Sequence, residues 1–314
     1  MSPLHVLRVL PLLCACASGC YLSYGLDADT RSTTDAASST DADAGAARDA
    51  LTAPLDASAP LDGAVTTGMA TVDESATCAN GPARWAAICP DATIVYVSPD
   101  GRDGAVGSAA DPFASPSGAM EHCARACHLR LVAGIYAMGG NGLGGDCLYV
   151  EGGGALDAVG AWTPSTGAAS TLVGSGRSDT MISSGSALVV TGVSIRDVHS
   201  GIAVSGASLL VVDHVSIDAS YSGLNIAWSS SGARVCNSTF VGGYVGVDIA
   251  WGSSDVVLDR VDVTGGYQGI DVNWSSHDVS VRNSTVRGGH EGVGVGTDAY
   301  DVQLKNTVVI TTGG

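Results

Sequence analysis

Lysine is all but missing from this 314-residue chain: Lys305 is the sole one, Lys and Arg together number 14 against 31 Asp and Glu, and the formal charge is −17. Neutralising a phosphate backbone or an anionic lipid surface takes clustered cations, so nucleic acid and anionic headgroups are excluded as partners. Charged residues of either sign are few, 14% of the chain, which disfavours long solvated helices. Aromatics are scarcer still, with five Trp, nine Tyr and two Phe. No apolar run reaches the about 20 residues that a membrane-crossing helix needs. What is abundant is glycine: its 43 residues are about twice the usual share of roughly 7% and favour a turn-rich β architecture.

The first 20 residues place His5 and Arg8 before a short apolar stretch, Val9 to Ala17, and then small residues ahead of a cysteine. That layout is a secretory signal. Ala17-Ser18-Gly19-Cys20 resembles a bacterial lipobox, which implies a signal peptide over 1–19, cleavage before Cys20 and lipidation of its thiol, hence a membrane partner through the lipid. An ordinary signal peptide cut nearby is the other reading; both export the chain. Tyr21, where an Asp favours inner-membrane retention in Gram-negative lipoproteins, points by that analogy to the outer membrane. Residues 20–76 are dominated by Asp, Ala, Ser and Thr, without apolar periodicity, and read as a disordered, self-repelling tether. Their acids are irregularly spaced and lack the Gly-turned loop of a calcium site.

Six cysteines follow Cys20: Cys78, Cys89, Cys123, Cys127, Cys147 and Cys236. In an exported chain an even number suits three disulfides, with Cys78–Cys89 as the most plausible local loop. Neither a second close Cys pair nor spaced His accompanies Cys123 and Cys127, so a metal site is the weaker reading.

From about residue 188 the chain repeats. Gly201, Gly223, Gly246, Gly269 and Gly292 align, and Asn237, Arg260, Asn283 and Asn306 form a second column of period 23, with His214 one step earlier. A fixed period within one chain marks a solenoid. Within each copy apolar residues alternate, as in Val247 and Ile249 around Asp248 or Ile270 and Val272 around Asp271, which predicts short strands, three to a coil, stacked in parallel. The Asn column predicts a side-chain ladder that His214 and Arg260 interrupt. These residues resemble a right-handed parallel β-helix of the pectate-lyase-like kind. The upstream run Ile94 to Gly101, Asp111-Pro112-Phe113, the Gly118–His128 segment and Leu131 to Tyr136 looks like the entry of such proteins, in which a strand and a short amphipathic helix cap the N-terminal end. The resemblance spans roughly 92–314 and implies an all-β domain over 77–314. The fold hosts lyases, hydrolases, epimerases and adhesins, so it does not decide function. The last copy, Val302 to Gly314, has no capping element, and the expectation is self-association through its strand edge.

Chemistry-bearing residues fall in three columns. Two positions past the repeat glycine stand Asn225, Asp248 and Asp271, predicted to point outward. Strands stack about 4.8 Å apart, so the two carboxylates should lie side by side and drive one pKa upward. Such a pair can act as acid and base, at a separation that matches retaining glycosidases; solvated carboxylates or a shared calcium are the plain alternatives. Two residues before the glycine stand His199, Tyr221, Tyr244, Tyr267 and His290, and five after it Trp228, Trp251 and Trp274. Aromatic ladders at strand spacing can stack on sugar rings; alternatively the indoles tuck into the core at a corner. The runs Gly242 to Asp248 and Gly265 to Asp271 look like calcium-binding GGxGxDxUx repeats but carry one residue too many, and Arg282 and Arg287 stand in a different column from the acids, which leaves a calcium-dependent lyase unsupported. No cofactor is expected. Polysaccharide binding by Tyr221, Asn225, Trp228, Tyr244, Trp251, Tyr267 and Trp274 leads; a glycoside hydrolase or lyase using Asp248 and Asp271, or a structural or adhesive surface protein, are the alternatives.

Overall fold

The structure, a computed structural model, describes residues 76–313 apart from 124, 165–168 and 177–178. The signal peptide 1–19, the lipidated Cys20 and all but the end of the 20–76 tether lie outside the described residues. No helix among the described residues is long and apolar enough to cross a membrane.

Strands dominate, and apart from one antiparallel pairing, Ala155 and Leu156 with Thr163 and Trp162, every named strand pair is parallel. Three in-register ladders make the walls of a solenoid. The first runs through the second half of Ser216–Ala227, then Val245–Ile249, Gln268–Val272 and Glu291–Val295. The second runs through Leu209–Asp213, Ser231–Cys236, Ser254–Asp259, His277–Arg282 and Tyr300–Lys305. The third runs through Thr239–Gly242, Asp262–Gly265, Thr285–Gly288 and Val308–Thr311. Asp248 pairs with Asp271, 23 residues on, so one period is one coil. Inside, like stacks on like: Leu224, Val247 and Ile270 form one fully buried column, and Phe240, Val263 and Val286 another. Each large side chain so buried contributes about 1.5–3 kcal/mol.

The repeat glycines are a packing requirement. A Cβ at Gly246 would sit 2.4 Å from Val263 Cγ1 and 2.7 Å from the Gly269 carbonyl oxygen of the next coil. Every residue larger than glycine would therefore push neighbouring coils apart.

The Asn column occupies a corner where His214, Asn237, Arg260, Asn283 and Asn306 all take positive φ, between 47° and 54°. Asparagine tolerates that conformation better than most residues, which accounts for its recurrence. The ladder is interrupted at Arg260 on one side only: its Nε donates to Asn237 Oδ1 at 2.7 Å, but a guanidinium cannot accept from Asn283 of the next coil. Asn237 and Asn283 instead each donate to an aspartate of the preceding coil, Asp213 and Asp259, at 2.8 Å.

The N-terminal end departs from the sequence reading in two ways. The Gly118–His128 segment is a helix only over Pro116–Met120, capped by Ser115 Oγ. Its last three residues, 126–128, belong to the strand Ala126–Val132, whose pairing with Thr93–Val97 and Leu143–Leu156 outweighs local helix preference. The disulfides are Cys78–Cys236, Cys89–Cys147 and Cys123–Cys127, and the expected Cys78–Cys89 loop is absent. Between those two cysteines lies the helix Gly81–Ile88; eight helical residues extend about 12 Å, beyond the roughly 7 Å reach of a disulfide. That helix lies on the outside of the solenoid, with Trp85 buried edge-on against Tyr149 and His128 and Gly81 close on Val211.

Candidate functional site

The candidate site is the outer face of the first ladder. In each coil a Tyr stands two residues before the repeat glycine, inside the long strand Ser216–Ala227 for Tyr221 and just before the strand for Tyr244 and Tyr267, and a Trp follows the strand, so both are carried along the solenoid by the same register. Tyr221, Tyr244 and Tyr267 are exposed and stack at 5.4 and 5.2 Å between ring centroids. His199 and His290 extend that stack at either end, at 4.9 and 4.7 Å. Trp228, Trp251 and Trp274 stack at 4.9 Å with planes within 3°.

The indoles point outward because the chain turns the corner through two successive left-handed residues: Trp228 and Ser229, Trp251 and Gly252, Trp274 and Ser275, with φ between 53° and 70°. This conformation costs an ordinary residue roughly 1–2 kcal/mol. The next residue in each coil, Ser230, Ser253 or Ser276, is buried and fastens the corner. Ser230 Oγ donates to the Ala227 carbonyl and accepts from Ala207 N at 3.1 Å; Ser276 Oγ accepts from Ser253 N at 3.2 Å. The core placement of the indoles is thereby overturned, with exposures of 59%, 44% and 47% along the ladder.

Ring stacking has a further effect. At these spacings and angles each ring covers its neighbour's face in offset fashion. A glycan lying along the ladder meets ring edges, so the full ring faces expected from the sequence remain open only at the ladder's ends.

Between the aromatic margins lie the polar columns. Asn225, Asp248, Asp271 and Gly294 are register partners, as are Ser222, Val245, Gln268 and Glu291. Asn225 Nδ2 donates to Asp248 Oδ2 at 2.7 Å, Asn273 Nδ2 to Asp271 Oδ2 at 2.5 Å, and Gln268 Nε2 to Glu291 Oε2 at 3.0 Å. Burial, then the neighbouring Asp271 charge, push the Asp248 carboxyl up to about 7 against the opposing hydrogen bond from Asn225. Asp271 is also raised, by burial and by Glu291, with Asn273 and Gln268 opposing. A cavity of about 390 Å³ adjoins Asp271, lined in part by Gln268, His290, Glu291 and Gly294.

Gln268, Glu291 and Asn273 were not predicted as site residues. Strict alternation from Val247 and Ile249 turns position 245 and its equivalents inward. A Cβ at Gly294 would lie 2.6 Å from Gln268 Nε2, 2.7 Å from Glu291 Oε2 and 3.3 Å from Asp271 Oδ1, so these groups share one face. The alternation breaks at the glycine, whose missing side chain is also turned inward. Aligning the residue just before the glycine would have found them. No strand of this ladder from Ser222 to Val295 carries Lys or Arg. Among the described residues, no three His, Cys, Asp or Glu side chains gather as a metal-binding group.

Fold and face together define a right-handed parallel β-helix with aromatic margins on one sheet. Residues 140–286 match the family model for the right handed beta helix region. No curated protein matches the chain. Among solved structures it is similar to pectate lyase Pel9A, with 17% identity, a TM-score of 0.37, and coverage of 62% of this chain and 54% of that one. For a rhamnogalacturonan lyase the values are 12%, 0.36, 69% and 62%. For the A-module of the Azotobacter vinelandii mannuronan C-5 epimerase AlgE6 they are 17%, 0.35, 75% and 71%. The chain thus spans less than two thirds of the length of either lyase.

Proposed function

We propose that the protein is an exported outer-membrane lipoprotein, anchored at Cys20, whose β-helix binds a neutral or weakly charged polysaccharide. The ligand-facing groups are Tyr221, Asn225, Trp228, Tyr244, Trp251, Tyr267 and Trp274. The observation that carries this reading is the pair of exposed aromatic ladders along both margins of one sheet whose strands carry carboxylates and amides but no cation. Exposed ring edges along the ladders, and the open ring faces at their ends, offer apolar contact to the C–H surfaces of sugars, while Asn225 and a protonated Asp248 offer hydrogen bonds to hydroxyls. A polyuronate would meet like charge from Asp271 and Glu291. Binding on a glycan array that disappears in Trp251→Ala, with the melting curve unchanged, supports recognition; a large loss of stability without loss of binding opposes it. Palmitate labelling that persists in Cys20→Ala would refute the anchor.

One observation favours a second reading, glycan cleavage. Asp248 is pushed up to about 7 beside Asp271, and adjacent strands hold such carboxyls about 4.8 Å apart, near the roughly 5–5.5 Å of retaining glycosidases. Release of reducing ends, abolished in both Asp248→Asn and Asp271→Asn, establishes it; no release from a broad polysaccharide panel leaves binding ahead. Val308, Val309 and Ile310 on the last described strand are exposed, and self-association through that edge belongs to the same proposal. Light scattering that stays monomeric at high concentration opposes it.

A further inference from the structure

The three indoles are not equivalent. Trp251 is sandwiched between the other two, whereas Trp228 has a partner on one face only and is the most exposed of the three, 59% against 44% for Trp251. Its other face looks toward the preceding coil, where the same corner position is Gly206. Gly206 holds the same left-handed conformation, φ 68°, but has no ring to stack. A Cβ there would meet only two carbonyl oxygens, of Trp228 at 3.7 Å and Gly185 at 3.9 Å. Beyond it, a Cβ at Gly185 would meet only Asp146 Oδ1 at 3.5 Å and the Ser205 carbonyl at 3.9 Å. The surface therefore steps down beside Trp228 over two successive glycines, which at strand spacing is about 10 Å, and an acidic side chain stands at the far side. The opposite end of the ladder is different. There the column continues into Thr297, whose carbonyl accepts from Ser275 N at 3.0 Å.

Resting on the glycan-binding reading above, we propose that the open face of Trp228 is a stacking platform for one neutral pyranose unit. The unit sits over Gly206 and Gly185, with Asp146 accepting from its hydroxyls. A pyranose is the occupant that fits both walls: its C–H face matches an indole and its hydroxyls match a carboxylate, and its thickness is close to the spacing of one coil. The sugar takes the place of the indole that Gly206 omits, so the platform fixes where a bound chain begins or ends along the solenoid.

The test is built on that missing ring. Gly206→Trp extends the ladder by one indole in a backbone conformation that its neighbours already show, and so covers the platform. With cellohexaose, xylohexaose and mannohexaose as probes, whichever binds the wild type is expected to lose at least tenfold in affinity in Gly206→Trp and to stay within twofold in Thr297→Trp. Wild-type affinity in Gly206→Trp, or equal loss in Thr297→Trp, overturns the platform while leaving glycan binding intact. If no glycan on a broad array binds the wild type, the underlying reading fails instead. A measurement on unmodified protein guards against misfolding of the variant. On titration with the bound probe, the largest shift among the indole N–H resonances is expected at Trp228; equal shifts at all three, or the largest at Trp274, overturn the proposal.

Discussion

The coils near the N-terminus and the coils from Gly201 to Gly296 solve the same stacking problem with opposite kinds of sequence. In the first region register partners differ: Tyr96 lies beside Arg130, Arg130 beside Glu151, and His128 beside Tyr149. Unlike neighbours can neutralise one another. Glu151 accepts from His128 at 2.9 Å and Arg130 at 3.1 Å; burial alone would raise its carboxyl, but those two partners help to bring it below the usual range. In the second region each coil largely repeats the last, so the core and aromatic columns set a residue on its own kind. That favours Tyr on Tyr, Trp on Trp and Val on Val. For Asp248 on Asp271 it leaves two carboxyls both shifted upward. An in-register parallel solenoid rewards repetition in apolar and aromatic columns and strains it in charged ones.

The largest way to break this contrast is through what holds each region together. Ile270→Ala, in the fully buried central column, is expected to cost about 2–5 kcal/mol in denaturant unfolding. Loss of the Cys89–Cys147 bridge as a Ser pair is expected to cost roughly 2–4 kcal/mol. Hydrogen exchange should place that second loss in the N-terminal coils and leave protection from Leu224 to Val281 unchanged. Uniform loss along the solenoid would dissolve the distinction.

Next in size is the response to pH, which should differ in sign. Asp248 has an ordinary value of 3.8 and a folded value of about 7. Below both, the carboxyl is protonated in either state and has no effect; between them only the folded state keeps the proton, so stability falls as pH rises, and above about 7 the full penalty is present. Glu151, held below its ordinary 4.5, contributes stability at neutral pH that is lost as the solution is acidified past that value. Melting curves for Asp248→Asn should therefore lose the decline between about pH 4 and 7, and those for Glu151→Gln should lose the acid-side drop. Matching profiles in the two variants would contradict the assignment.

The smallest expected effect concerns the corners. Trp251→Ala removes two stacking contacts but keeps a strained left-handed residue, whereas Trp251→Gly removes the contacts and the strain together. The glycine variant should be the more stable of the two, by about 1 kcal/mol. The reverse order would mean that the left-handed corner is not strained.

Periodicity made the solenoid legible, because glycine, asparagine and tryptophan each recur at 23 residues and only a stacked coil makes such columns neighbours. The Asp248/Asp271 pair was readable for the same reason. Other features depend on irregular contacts that no period reveals. The break at the repeat glycine puts Gln268, before Gly269, and Glu291, before Gly292, on the outer face against simple alternation. Arg260 joins the Asn ladder because a guanidinium can reach Asn237 as an amide would. The Cys78–Cys236 bridge joins residues 158 apart and follows from where the first helices lie, which local spacing does not encode.

That bridge also decides how the molecule carries load. The strand Ser231–Cys236 lies in the middle of the stack, yet it is covalently joined to Cys78, only two residues past the first described residue, Ala76. Tension arriving along the backbone at Ala76 therefore enters the solenoid at mid-height. The coils between Cys78 and Cys236 are bypassed and cannot be peeled off one by one from their N-terminal end.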